Sequence, residues 1–101
     1  MAKKAEKRPY VVIRNDMAGV LCGVLEERTD SETTLTEARI IWDWSNPGVE
    51  TVHEVASIGV GPASHVSCAV PRMTVRACAG EACIQTTPEA EASLRAATWA
   101  K

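Results

Sequence analysis

The chain has 101 residues, of which 46% are hydrophobic and 24% charged, so it is long enough for one domain with a core and unlike a disordered chain. Its formal net charge of −2 argues against general nucleic-acid binding, because neutralising a phosphate backbone takes a clear basic excess. No apolar run reaches the roughly 18 to 20 residues that span a bilayer, and no signal peptide follows the basic start. We therefore expect a cytoplasmic protein that engages neither membrane nor nucleic acid.

Basic residues crowd the N-terminus, where Lys3, Lys4, Lys7 and Arg8 fall within the first eight positions. A short charged run of this kind is typical of a solvated tail, although it would also suit contact with phosphate. We expect residues 1–9 to be a flexible basic tail and residues 10–101 to form a single domain.

The four cysteines are expected to be reduced thiols, because no secretory signal precedes them. Cys78 and Cys83 are close enough in sequence to supply half of a metal site, but no second close Cys or His pair completes it. The sequence therefore predicts no metal and no cofactor. Cys22 and Cys68 are expected to be more buried than Cys78 and Cys83.

Periodicity and turn residues predict the elements in chain order. β-Branched and apolar runs favour strands, and Pro88 after a Thr87 N-cap, followed by glutamates, favours a C-terminal helix. The predicted strands are 10–14, about 17–28, 33–44, 66–70 and 73–86, the last as one strand or a hairpin bending at 79–81; the helices are about 49–58 and 88–99.

This order predicts an α+β fold, with an antiparallel or mixed sheet of about five to six strands and two short helices, the last of them C-terminal. A small, partly closed barrel is the alternative, since glycine-bearing strands of this length coil. Strands that are apolar on both faces need cover, and a core of this size is marginal. We therefore expect a homo-oligomer, most simply a two-fold dimer.

Catalytic signatures are incomplete. His65-Val-Ser-Cys68 matches the His-x-Ser-x pattern of two-histidine phosphoesterases, which need a second copy so that one imidazole acts as base and the other as acid. His53 is followed by Glu-Val-Ala, which lacks the hydroxyl residue. Common hydrolase and NTPase motifs are also missing from the sequence. We predict no catalytic residues and a protein that is not an enzyme.

Binding residues are better represented. Trp42 and Trp44 are two apart, where a regular strand points both to one face, and an indole stacks well on a purine. Core packing is the alternative for each tryptophan. Gly19 lies within a predicted strand, where glycine marks a bulge or the close approach of a ligand, and the neighbouring Ala18 is included with it.

Two arginines, Arg14 and Arg39, belong to otherwise apolar strands, and a guanidinium is well shaped to grip phosphate. A salt bridge or a surface position is the alternative for each. Regular alternation puts Arg39 and Trp42 on opposite faces, so both line one pocket only if a bulge intervenes or the site lies between subunits. The predicted ligand-binding residues are Arg14, Ala18, Gly19, Arg39, Trp42, Trp44, Ser45 and His65.

Several segments together carry a family resemblance. Tyr10-Val-Val-Ile-Arg14, Ala18-Gly-Val20, Ala38-Arg-Ile-Ile-Trp-Asp-Trp44 and the closing 86–99 segment resemble a family of small proteins of tailed bacteriophages and prophages. Departures lie at 46–48 and 77–81. The resemblance implies a phage-encoded accessory protein acting in the cytoplasm of the infected host, and it carries no catalytic assignment.

By analogy with small phage proteins that sequester immune signals, the leading hypothesis is an anti-defence protein that binds a nucleotide signal without cleaving it. ADP-ribose products of the Thoeris system, such as cyclic ADP-ribose or His-ADP-ribose, are the expected ligands, and cyclic dinucleotides are related candidates. The alternative is an interaction protein that inhibits a host protein by surface contact. A phosphodiesterase that cleaves the cyclic nucleotide is third.

Overall fold

A computed structural model describes residues 8–15, 18–44, 51–77 and 81–99. The predicted basic tail, Ser45 and Cys78 lie outside these residues, apart from Arg8 and Pro9 at the end of the tail. In chain order the elements are β1 (Tyr10–Asn15), β2 (Gly19–Arg28), β3 (Glu32–Asp43), α1 (Val52–Ile58), β4 (His65–Val66), β5 (Val70–Arg76), β6 (Ala82–Gln85) and α2 (Pro88–Ala96).

The described residues form a six-stranded antiparallel sheet with two helices, which confirms the predicted α+β class. The strand order is β4-β3-β2-β1-β6, and β5 also pairs with β3. Along its outer edge β3 pairs first with β5, through residues 32–38, and then with β4, through residues 41–43. The sheet is not closed into a barrel. Neither helix in the described part of the chain has the length and apolar character to cross a membrane.

Both faces of the sheet are covered, which explains why Val11, Val12 and Ile13 are all fully buried along β1. One face packs against the two helices and forms the helix-side core: Tyr10, Val12, Cys22, Ile41, Val55, Ala56, Val66 and Leu94. The other face forms the β5-side core: Val11, Ile13, Leu21, Leu35 and Ala38, packed against Met73 and Val75 of β5 and Cys83 of β6.

A bulge in β3 breaks the regular alternation that the sequence predicts for residues 33–44. Glu37 has a positive φ of 52°, and the pairing of β2 with β3 passes from Val24↔Thr36 to Cys22↔Arg39, so that two β3 residues oppose Gly23. Leu35 and Ala38 consequently share the β5-side core. The alternation is shifted by one residue after Glu37.

Gly23 is the residue that allows this close pairing. A Cβ at position 23 would lie 2.9 Å from the backbone oxygen of Thr36 and 3.2 Å from Cα of Ala38. Glycine within a strand often marks the close approach of another backbone, and here the approaching backbone is that of β3.

Helix α2 begins as the sequence predicts. The Oγ1 of Thr87 accepts from the backbone N–H of Ala90 at 3.1 Å, Pro88 follows it, and Glu89 and Glu91 occupy the first turn. The helix ends at Ala96, short of the predicted Trp99. Helix α1 is described from Val52, three residues after the predicted start, and Glu54 Oε1 accepts from the backbone N–H of Thr51 at 2.7 Å.

The guanidinium of Arg39 fastens the end of α2 to the sheet. Its Nε donates to the carbonyl of Ser67 at 2.7 Å, its Nη1 to the carbonyl of Leu94 at 2.5 Å, and its Nη2 to the carbonyl of Ala97. The last carbonyls of a helix lack intrahelical partners and carry partial negative charge, so a cation at this position stabilises the helix end.

Three details differ from the predictions. Cys22 is buried, but Cys68 is exposed and Cys83 is half-buried, so the expected burial of Cys68 is wrong. The 73–86 segment is divided into β5 and β6, which pair with β3 and β1 respectively. The predicted strand 66–70 is wrong, because β4 ends at Val66 and β5 begins at Val70. Pro71, which falls between the predicted strands 66–70 and 73–86, lies within β5, whose only strand partner in the described residues is β3. A strand at a sheet edge accommodates proline because its outer N–H groups need no partner.

The close approach at Gly23 leads to a stability prediction. Gly23→Ala is expected to lower the free energy of unfolding by about 2 kcal/mol, because the added methyl group meets backbone atoms that cannot rotate away. Urea denaturation measures the change. Gln85→Ala, at an exposed position of β6, serves as the control and should stay within about 0.5 kcal/mol of the parent. Equal stability of Gly23→Ala and the parent would contradict this account of the bulge.

The contacts of Arg39 with the end of α2 lead to a second stability prediction. Arg39→Ala is expected to lower the free energy of unfolding by roughly 2 to 3 kcal/mol, because carbonyls at the end of α2 lose a charged donor. Arg39→Lys should recover only part of that loss, since an ammonium group cannot reproduce the planar fork. Arg72→Ala, an exposed arginine on β5, is the control. A stable Arg39→Ala protein would remove the proposed role of this side chain.

Candidate functional site

An apolar cleft opens where the start of β2 meets the end of β3. It is a half-open cavity of about 470 Å³, a volume within the usual range for small-molecule sites. We call it the Trp cleft; its lining residues are Ala18, Gly19, Val20, Ile40, Ile41, Trp42 and Trp44. Four of the eight predicted ligand-binding residues, Ala18, Gly19, Trp42 and Trp44, thus line one cavity.

The β1–β2 connection holds one wall of the cleft. Asn15 is buried, its Oδ1 accepts from the backbone N–H of Ala18 at 2.8 Å, and its Nδ2 donates to the carbonyl of Arg76 at 2.9 Å. The same Nδ2 also donates to Oε2 of Glu81, whose side chain is only 1% exposed and forms an ion pair with Arg28 at 3.1 Å. Gly19 adopts φ 95°, a conformation that favours glycine. This wall is therefore tied into a buried polar network.

The two tryptophans of β3 have different surroundings. Trp42 is 70% exposed, whereas Trp44 is half-buried and packs against the helix-side core. Ile40, two residues before Trp42, is 37% exposed. The core-packing alternative therefore suits Trp44, and Trp42 presents its indole at the mouth of the cleft.

His65 lies on β4 beside the end of β3. Its Nδ1 is 2.9 Å from Oδ1 of Asp43, and its ring meets the indole of Trp99 at a centroid distance of 4.8 Å in an edge-to-face arrangement. Trp99 in turn lies 6.5 Å from Trp42 between ring centroids. His65 thus adjoins the aromatic mouth of the cleft without lining its cavity. The other histidine, His53, is exposed on α1.

Arg14 and Arg39, the two arginines predicted to bind the ligand, have different surroundings. Arg39 donates to backbone carbonyls at the end of α2 and does not line the Trp cleft. The bulge at Glu37 precedes both Arg39 and Trp42 and does not bring them into one pocket. A second irregularity, in the pairing of β3 with β4, falls at Trp42 between Ile41 and Asp43 and does not bring them together either. Arg14 is exposed on β1, in register with Val20 of the cleft wall. Ser45 is outside the described residues.

A second depression, of about 310 Å³, lies on the helix side and is more polar. It is lined by Tyr10, Glu37, Arg39, Cys68, Ala69 and Arg95. Arg95 lies over the ring of Tyr10 and pairs with Glu91 and Glu37, and its hydrogen bond to Glu91 raises its pKa above the ordinary value. Both arginines here hold partners within the fold.

The buried thiol and phenol are held in their neutral forms. The hydroxyl of Tyr10 donates to Sγ of Cys22 at 3.4 Å. Burial raises the pKa of each group above its ordinary value, and the proximity of Cys22 raises that of Tyr10 further. A thiol in this state is a poor nucleophile at neutral pH. Among the described residues, no group of three His, Cys, Asp or Glu side chains is placed to hold a metal ion.

Sequence reasoning missed Trp99 and Asn15 as parts of this region. Trp99 falls at the end of the predicted C-terminal helix, and only the pairing of the C-terminal segment with β4 brings it to Trp42. Asn15 directly follows the predicted strand 10–14. Its burial depends on Arg76 and Glu81, which are distant in sequence, so no local signal identifies it.

Comparisons with known proteins give a family for the chain. The searches of curated proteins and of solved structures found no match. A family model described as "Domain of unknown function (DUF6948)" matches residues 8–94, which include all strands of the described residues and most of α2. The chain therefore belongs to the DUF6948 family.

Proposed function

We propose that this protein binds a small nucleotide signal in the Trp cleft and holds it without cleaving it, as a phage-encoded anti-defence protein. The observation that carries the proposal is the exposed indole of Trp42 at the mouth of an apolar cavity of about 470 Å³. A nucleobase is flat and largely apolar on its faces, and stacking on an aromatic side chain contributes about 1 to 3 kcal/mol per base.

The exposure of Trp42 supports a role in binding. An aromatic side chain covers on the order of 150 to 250 Å² when it is fully buried. With 70% of its surface in water, Trp42 forgoes roughly 3 kcal/mol of hydrophobic stabilisation, at about 25 cal/mol per Å². A ligand that covers the ring recovers part of this free energy on binding.

Arg14 is the cation that we assign to the ligand's phosphates. It is exposed and pairs in register with Val20, a residue of the cleft wall, so it is one strand away from the cavity. Charge-assisted hydrogen bonds from arginine to phosphate are among the stronger ones in proteins. Arg14 alternates along β1 with residues of the helix-side core, so it lies on the helix side of the sheet, as Val20 does. A nucleotide with its base against Trp42 at the mouth of the cleft would extend its phosphates past Val20 to reach Arg14. ADP-ribose derivatives have both parts.

A second candidate is an interaction protein that inhibits a host protein by surface contact. The exposed side chains of Ile40, Trp42 and Trp99 favour it, because tryptophan is enriched among the residues that dominate protein interfaces. This candidate predicts neither binding nor turnover of small nucleotides. A phosphodiesterase, the third hypothesis, predicts a changed product.

A ligand panel tests the proposal. Thermal shift and calorimetry with ADP-ribose, cyclic ADP-ribose and cyclic di-AMP should identify at least one ligand, and heat denaturation of the complex should release that ligand intact. Trp42→Ala is expected to weaken its binding at least tenfold, about 1.4 kcal/mol, with little change in melting temperature because the side chain is largely exposed.

Ile58→Ala is the matched control, since Ile58 is an exposed apolar residue on α1 outside the cleft lining. It should bind the ligand as the parent does. The proposal is wrong if no nucleotide of the panel binds, or if the ligand returns cleaved. It is also wrong if Trp42→Ala binds with unchanged affinity.

A further inference from the structure

The last described residues run back along the sheet towards the Trp cleft. After α2 ends, the backbone of Trp99 forms a bridge with His65 of β4, and the N–H of Val66 donates to the carbonyl of Thr98 at 3.3 Å. Strand β4 is in turn paired with Ile41 and Asp43, on either side of Trp42. The pairing of the C-terminal segment with β4 therefore places the Trp99 side chain beside the exposed indole of Trp42.

The two indoles make a tilted contact. Their centroids are 6.5 Å apart and their planes are inclined by 37°. A flat ring stacked on both sides needs two gaps of about 3.4 Å each, the repeat of stacked bases, or about 7 Å in all. To admit such a ring, the two indoles must separate and turn parallel to each other.

Direct packing of two aromatic rings also occurs at centroid distances of 4.5 to 7 Å, so the distance does not decide the role of the pair. The solvent exposure of the two indoles distinguishes a binding role from a structural one. Trp42 and Trp99 remain 70% and 52% exposed, so their contact with each other covers only a minor part of their apolar surface. Two large indoles left in water side by side are typical of a binding surface rather than of a structural contact.

Trp99 is positioned before any ligand arrives. The ring of His65 packs edge-on against it, and Asp43 fixes that imidazole through the 2.9 Å contact with Nδ1. Arg39 holds the carbonyl of Ala97, two residues upstream. Preorganisation of this kind lowers the conformational entropy that binding costs.

We infer that Trp42 and Trp99 form a two-sided clamp at the mouth of the Trp cleft, where Trp42 lines the cavity and Trp99 lies outside it, and that the flat ring of the ligand lies between their indoles. The inference rests on the proposed function and names the ligand class more narrowly, as a nucleotide whose base is free to be stacked on both faces. Trp99 is then a residue that determines specificity, because its indole stacks on a flat ring and cannot stack on a sugar phosphate.

Two substitutions at one position test the clamp. Trp99→Leu keeps an apolar side chain but removes the flat face, whereas Trp99→Phe keeps a smaller flat face. In calorimetric titrations with ADP-ribose, cyclic ADP-ribose and cyclic di-AMP, the ligand that the parent binds should bind Trp99→Leu at least tenfold more weakly and Trp99→Phe within about threefold, if stacking contributes as it does for single-stranded bases. Ile58→Ala should match the parent, and ribose phosphate, which has no base, should bind the parent and Trp99→Leu equally weakly.

A second measurement reports on Trp99 without disturbing it. In Trp42→Phe, the remaining indoles are Trp44 and Trp99, and stacking of an adenine ring on Trp99 should quench the tryptophan emission of this variant. Adding Trp99→Phe to the same background should abolish most of that quenching. Both results are expected if the clamp exists.

The outcomes separate the two proposals. If the parent binds a nucleotide of the panel and Trp99→Leu binds it equally well, the clamp is wrong and the Trp cleft remains a one-sided site. The same conclusion follows if the emission of Trp42→Phe does not change on saturation. If the parent binds no nucleotide of the panel, the proposed function is wrong and the clamp is overturned with it.

Discussion

The pairing of Gly23 with the bulge at Glu37 is the constraint on which the rest of the structure depends. Only a residue without Cβ fits against β3 at position 23 of β2. Glu37 takes a positive φ, so that two residues of β3 oppose this one residue of β2. The bulge shifts the alternation of β3 by one residue and keeps Leu35 and Ala38 in the same core. The shift carries through β3 as far as Ile41, and a second irregularity, in the pairing with β4, follows between Ile41 and Asp43.

The positions of Arg39 and Trp42 follow from two irregularities in β3. Arg39 comes after the bulge at Glu37, and its guanidinium holds the carbonyls at the end of α2 and thereby the start of the segment that carries Trp99. Trp42 falls at the second irregularity, between Ile41 and Asp43 in the pairing with β4, and is left in water at the edge of the Trp cleft. The two residues that the sequence suggests as one site are therefore divided: Arg39 positions the C-terminal segment, and Trp42 is left to meet a ligand.

Local signals account for much of what the sequence predicts correctly. Short sequence patterns predict the Thr87 cap with Pro88, the buried strand β1 and the strand β3. The α+β class follows from the order of these elements. Contacts between distant segments account for what it misses. The bulge at Glu37 has no sequence mark of its own, Pro71 is tolerated only because β5 lies at an edge, and Trp99 reaches Trp42 through a pairing with β4 that no periodicity reveals.

The central claim is that the exposed indoles around the Trp cleft receive the flat ring of a ligand. The chain has three tryptophans, so its indole N–H groups give three signals in a proton–nitrogen correlation spectrum. Titration with ADP-ribose, recorded together with a base-free ribose phosphate, is the most direct measurement. The account predicts that the signals of Trp42 and Trp99 shift strongly with ADP-ribose, and that neither shifts with ribose phosphate. Indole signals that stay in place while the backbone signals around Arg95 or along β5 shift would contradict it.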